Sequence, residues 1–172
     1  MKKILKIVLL GAVFFAVFFF GIKIFQKLEA KKKLDEMVSM FQDFCLFDLK
    51  TMDEFCTESL SEKPILILFT HPECDFCHQK TRQIKNQKSK IKNTTILLIT
   101  HAEKEQALEF YAQYELSQYE NIHFLIDTDF KVIWQYGSPP VPSVFLYSVE
   151  RKLLFKNNGA VKLETILKNL PK

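Results

Sequence analysis

Short apolar runs alternate with helical-period segments along most of the chain. Residues 65–69 read ILILF and residues 94–100 read TTILLIT, each suited to a strand buried on both faces. A third run, IHFLI (122–126), has the same length. Between these, HQKTRQIKNQKSKI has the composition of a basic helix, and residues 103–120 carry Ala107, Phe110, Tyr111 and Tyr114 at helical spacing. DFKVIWQYG predicts a short helix closed by Gly137. SVFLYS (143–148) and KLLFK (152–156) predict two strands joined by a tight polar turn, and VKLETILKNL predicts a terminal amphipathic helix. Strands alternating with helices and ending in a hairpin imply an α/β fold with a mixed sheet flanked by helices. Upstream, the alternation around Phe44, Leu46 and Phe55 predicts a hairpin laid against that sheet.

The first 25 residues follow a different pattern. From Ile7 to Ile22 no residue is charged. Sixteen residues of helix span about 24 Å, and Ile4, Leu5, Ile24 and Phe25, with snorkelling Lys6 and Lys23, extend this towards the roughly 30 Å of a bilayer core. A cleaved leader would end in small residues, whereas this run ends in Phe18, Phe19, Phe20 and Gly21. The expected organisation is a transmembrane anchor (1–25), a charged helical stalk (26–41) and one folded domain (42–172).

Charge changes the picture only locally. The chain carries net +4 over 172 residues, but residues 1–33 hold eight lysines and one acid, and the remainder has 16 basic against 19 acidic residues. A domain of net −3 lacks the dense basic face of a nucleic-acid binder.

The candidate chemistry lies in HPECDFCH (71–78). Cys74 follows a buried strand and precedes a helix, where open α/β sheets place reactive groups. The free N–H groups of a helix N-terminus stabilise a thiolate. Cys77, about one turn on, is placed to close a disulfide with it. The same stretch also reads Cys-x-x-Cys-His, a c-type haem attachment pattern. A methionine axial ligand would have to come from Met1, Met37, Met40 or Met52, all upstream, so haem is disfavoured. Zinc held by His71, Cys74, Cys77 and His78, or by Cys45 and Cys56 with the central pair, lacks the usual two separated ligand pairs. The expectation is no metal and no cofactor.

A second motif, SPPVPSVFLY, places Pro142 immediately before a strand, a natural position for a cis peptide bond. With KPILILFTHPECDFC, VPSVFLY and the closing LLFKNNGA in this order, the chain resembles the thioredoxin-fold, membrane-anchored thiol–disulfide oxidoreductases of TlpA-like or ResA-like type, over roughly residues 42–170. The resemblance implies Cys74 as nucleophile, Cys77 as resolver and a cis Pro142 lining a substrate groove, with Val141, His71, Glu73, Asp75 and Phe76 around it. It also implies protein disulfide substrates and a membrane electron donor. The sequence departs from the family pattern where thioredoxins carry a buried acid, here Leu68, and where they carry tryptophan, here Glu73. The competing readings are a peroxiredoxin-like peroxide reductase, disfavoured because Thr70 stands four residues before Cys74 instead of three, and a non-catalytic binding module.

Two expectations complete the reading. Cys45 and Cys56 are taken as small buried residues on adjacent strands, with a disulfide as the alternative in an oxidising compartment. Lysines after the apolar run outnumber those before it, against export by the positive-inside bias. A reactive dithiol nevertheless suits the periplasmic or extracytoplasmic side of a bacterial cytoplasmic membrane.

Overall fold

The computed structural model describes residues 2–60 and 62–171, with the side chains of residues 2–10, 12 and 13 outside that description. Helix α1 (Lys2–Met37) forms one unit and Val38–Lys172 a second, compact one. In α1 the described apolar side chains from Phe14 to Phe25 are mainly exposed. Among the described residues no helix is long and apolar enough to cross a membrane. Part of the expected span, the side chains of residues 1–10, 12 and 13, falls outside them.

The compact unit is built on a seven-stranded mixed sheet. In chain order the strands are β1 (Cys45–Asp48), β2 (Asp53–Cys56), β3 (Ile65–Phe69), β4 (Thr95–Thr100), β5 (Ile122–Ile126), β6 (Ser143–Tyr147) and β7 (Leu153–Asn158). They lie side by side as β2-β1-β5-β4-β3-β6-β7. β3, β4 and β5 are parallel, and both edges are antiparallel. The central strands are continuous apolar runs because both faces are covered. On one face Leu66, Leu68, Ile96, Leu98, Val144 and Leu146 pack with residues of α2 (Asp75–Asn86), α3 (Lys104–Ala112) and α5 (Leu163–Leu167). On the other, Phe69 and Phe145 meet Tyr136, which follows α4 (Lys131–Gln135), and Tyr147 meets Phe41. Truncating a central side chain such as Leu98 to Ala would cost about 2–5 kcal/mol.

Two expectations require correction. The β1–β2 hairpin extends the sheet edgewise through β5, pairing Phe47 with Ile126 and Asp48 with Leu125, where it was expected to lie against the sheet. The helix expected over 103–120 stops at Ala112. Glu115 then adopts a left-handed conformation, φ 51°, and a 3-10 turn (Leu116–Gln118) follows. A non-glycine residue at positive φ interrupts helical hydrogen bonding whatever the apolar spacing.

Cys45 and Cys56 are directly opposed in the hairpin and joined by a disulfide, with Cα atoms 4.1 Å apart. Cys45 is exposed and Cys56 half-buried, so they are not the small buried residues expected. Register, not burial, brings them together.

Candidate active site

Cys74 caps α2. Its backbone is extended, its carbonyl accepts from the N–H groups of Cys77 (2.9 Å) and His78 (3.1 Å), and its sulfur accepts from the Cys77 N–H at 3.2 Å. The Cys77 N–H is therefore shared between the Cys74 carbonyl and the sulfur where negative charge would develop. Cys74 is half-buried, Cys77 fully buried, and both are free thiols. Burial, reinforced by the hydrogen bond with Cys74, pushes the Cys77 thiol well above its ordinary range, although a His71 backbone group opposes this. The two sulfurs thus have distinct environments, one able to meet a partner and one held neutral beneath it.

The other predicted site residues lie towards the same end of the sheet. Phe69, the last residue of β3, pairs with Ser143, the first of β6, so Pro142 and the loop carrying Cys74 lie at neighbouring strand ends. Pro142 is buried and the Val141–Pro142 bond is cis. Val141 and Cys74 are both partly buried against the main core. The loop before them leaves α4 by a Schellman-type turn: Gly137, at φ 74°, donates to Trp134 O, and Ser138 N donates to Ile133 O. Glu73 and Asp75 are exposed, and Phe76 is 60% exposed. His71 Nδ1 accepts from the Glu73 N–H at 3.3 Å.

His78 is a clamp. Its Nε2 lies 2.7 Å from Pro72 O, an acceptor only, so Nε2 carries the proton and Nδ1 accepts from the Tyr114 hydroxyl at 2.5 Å. Both ring nitrogens are thereby committed, which leaves His78 tying α2 to the segment after α3 and not free to ligate a haem iron or zinc.

Several neighbours escaped the sequence reading. His101, just after β4, has its ring 5.1 Å from those of both His71 and Phe130. Burial, then His71, lowers its pKa, while Asp127 raises it. Its place at the carboxyl end of a parallel strand was the available signal. Leu68, where an acid was absent, is buried core. The buried polar pair nearby is Thr70 Oγ1 and the Tyr111 hydroxyl, 3.1 Å apart, and burial raises the Tyr111 pKa strongly. A cavity of about 590 Å³ lies away from this chemistry, by Pro64, Thr94 and Leu170.

Residues 57–172 match the family model described as a thioredoxin-like domain. The disulfide hairpin precedes the matched segment. No curated protein matches the sequence. Among solved structures, a secreted disulfide oxidoreductase of Mycobacterium tuberculosis, homologous to Escherichia coli DsbE, is 22% identical, with 78% of this chain and 96% of that one covered and a TM-score of 0.64. The thioredoxin domain of a thiol-disulfide oxidoreductase from Bacteroides vulgatus is 18% identical, covering 77% and 96%, with a TM-score of 0.61. A peroxidoxin, BcpB of Mycobacterium tuberculosis, is 16% identical, covering 76% and 92%, with a TM-score of 0.62. At these identities the likenesses establish the fold.

Proposed function

Because the chain belongs to the thioredoxin-like domain family, we propose that it is a thiol–disulfide oxidoreductase that reduces protein disulfides outside the cytoplasm. The observation that carries this reading is the Cys74 sulfur receiving the Cys77 N–H at the start of α2 while the Cys77 thiol is buried behind it. The Cys74 thiolate attacks one sulfur of a substrate disulfide, that S–S bond breaks, and the leaving thiolate takes up a proton. Cys77 then loses its proton and attacks Cys74 in the mixed disulfide. The second substrate thiol is released, and a Cys74–Cys77 disulfide holds the oxidising equivalents. Two electrons have passed to the substrate, and a membrane donor restores the dithiol.

The direction follows from charge. Glu73 and Asp75 flank Cys74 and oppose a negative sulfur, although their exposure screens the effect. A less stabilised thiolate makes the couple more reducing, so a potential nearer about −270 mV than about −120 mV is expected. Equilibration with glutathione buffers tests this, and a value above about −150 mV on that scale reverses the assignment. Turnover is tested by insulin reduction, and partners by trapping with Cys77→Ala, which leaves the mixed disulfide unresolved. Wild-type protein inactive towards every disulfide would leave a binding module as the reading.

The exposed phenylalanines of α1 and the uncharged run that holds most of them support a single-pass anchor with the C-terminal domain periplasmic or extracytoplasmic. Alkaline phosphatase fused after Lys172 should be active. Activity only from a cytoplasmic reporter overturns this topology.

A further inference from the structure

β4 and its following helix lie to one side of β3, whereas β6 and Pro142 lie to the other. On the α3 side, a cavity of about 220 Å³ opens beside the attacking cysteine, between the segment Pro72–Glu73 and α3. Its apolar wall includes Pro72 and Phe110, and His78 meets the Phe110 ring edge-on at 4.7 Å. The Glu73 and Glu109 carboxylates are exposed at it, and neither has an ion-pair or hydrogen-bond partner among the described residues. No lysine or arginine lines it. The volume is below the roughly 300–1,000 Å³ of small-molecule sites, a size for one side chain and not for a cofactor.

We propose that this cavity receives a lysine or arginine side chain of the substrate polypeptide, close in sequence to its reacting cysteine. The proposal rests on the exchange reading above and adds a substrate class to it. Glu73 is the immediate neighbour of Cys74, so when a substrate sulfur meets Cys74, side chains next to that sulfur lie within reach of the cavity. An aliphatic stem packs along Pro72 and Phe110 while its cationic head meets the two carboxylates, the division of labour that long basic side chains adopt at mixed surfaces. An acidic side chain at the same place meets like charge from Glu73, Glu109 and Asp75. The site therefore sorts substrates by charge on the side away from Pro142.

The test compares rates of mixed-disulfide formation for three otherwise identical peptide disulfides carrying Lys, Gln or Glu beside the cysteine, using the full-length protein. The Lys peptide should react about threefold to tenfold faster than the Gln peptide, the size expected of one or two exposed ion pairs. The Glu peptide should be slowest. The ratio should shrink when salt shortens the screening length from about 10 Å at 0.1 M to about 3 Å at 1 M. Glu109→Gln should lower the Lys-to-Gln ratio, leaving only the part that Glu73 supports. Glu105→Gln removes the same charge from α3 outside the cavity and should keep the preference. Equal rates for the three peptides, or a preference untouched by Glu109→Gln, overturn the cavity assignment while leaving disulfide exchange in place. No reaction with any peptide overturns the exchange reading itself, and the assignment with it.

Discussion

Across 3.2 Å the backbone N–H of Cys77 donates to the sulfur of Cys74. One cysteine thus supplies the donor that holds charge on the other, while its own sulfur is sealed in the core. In the reduced protein Cys74 should alkylate at least about tenfold faster than Cys77 at neutral pH, since reactivity follows thiolate character and access. Mass mapping of labelled peptides decides it, and labelling of Cys77 first would reverse the roles.

The buried Cys77 thiol also predicts a pH dependence of stability. Its proton is held in the folded state well above the ordinary value of 9.0. The unfolded chain releases that proton first, so this contribution is complete below about pH 9 and is lost as pH rises beyond it. Tyr111 and Tyr136, both raised by burial, act in the same direction. The reduced protein should lose unfolding free energy steadily above pH 9. Cys77→Ala should flatten the slope by about 1 kcal/mol over the first pH unit. Parallel slopes in denaturant titrations of the two proteins would rule Cys77 out as a contributor.

The disulfide of the edge hairpin should be structural and separable from the reactive pair. It closes a loop with a sequence separation of 11, at the far side of β5 and β4 from Cys74. Replacing Cys45 and Cys56 together by Ser should cost about 2–3 kcal/mol, through the denatured chain's regained freedom. Insulin reduction by the folded variant should persist. Loss of activity without loss of stability would assign this pair a redox role.

Asp48, the last residue of β1, supports the same hairpin. Its buried carboxylate accepts from the N–H groups of Lys50 (2.8 Å) and Phe124 (3.4 Å), and His123 Nδ1 lies 3.1 Å from it. Removing it strands the buried Phe124 N–H and the part-buried Lys50 N–H, so Asp48→Ala should cost about 3 kcal/mol. A shift below about 1 kcal/mol in urea unfolding, on the scale of an ordinary surface change, would show that the network is dispensable.

Much of this architecture was legible in the chain. Runs such as Ile65–Phe69 and Ile96–Ile99 declare central strands because only a strand covered on both faces tolerates uninterrupted apolar side chains. Cys-x-x-Cys between such a strand and a helix located the site, because strand end, turn and helix start are all local signals. The end of α3 was not legible, since the left-handed Glu115 breaks a helix whose apolar spacing continues to Tyr114.

What the sequence determined by itself was therefore the set of elements, the α/β class and the two cysteines at a helix start, all encoded in residues near one another in the chain. The tertiary structure decided which distant segments became neighbours: Cys45 against Cys56, Asp48 against Phe124, Thr70 against Tyr111, and Glu109 beside Glu73. A local pattern reports how a side chain alternates between core and solvent. It does not report strand order or register, and those set the distances at which charge, hydrogen bonding and disulfide chemistry act.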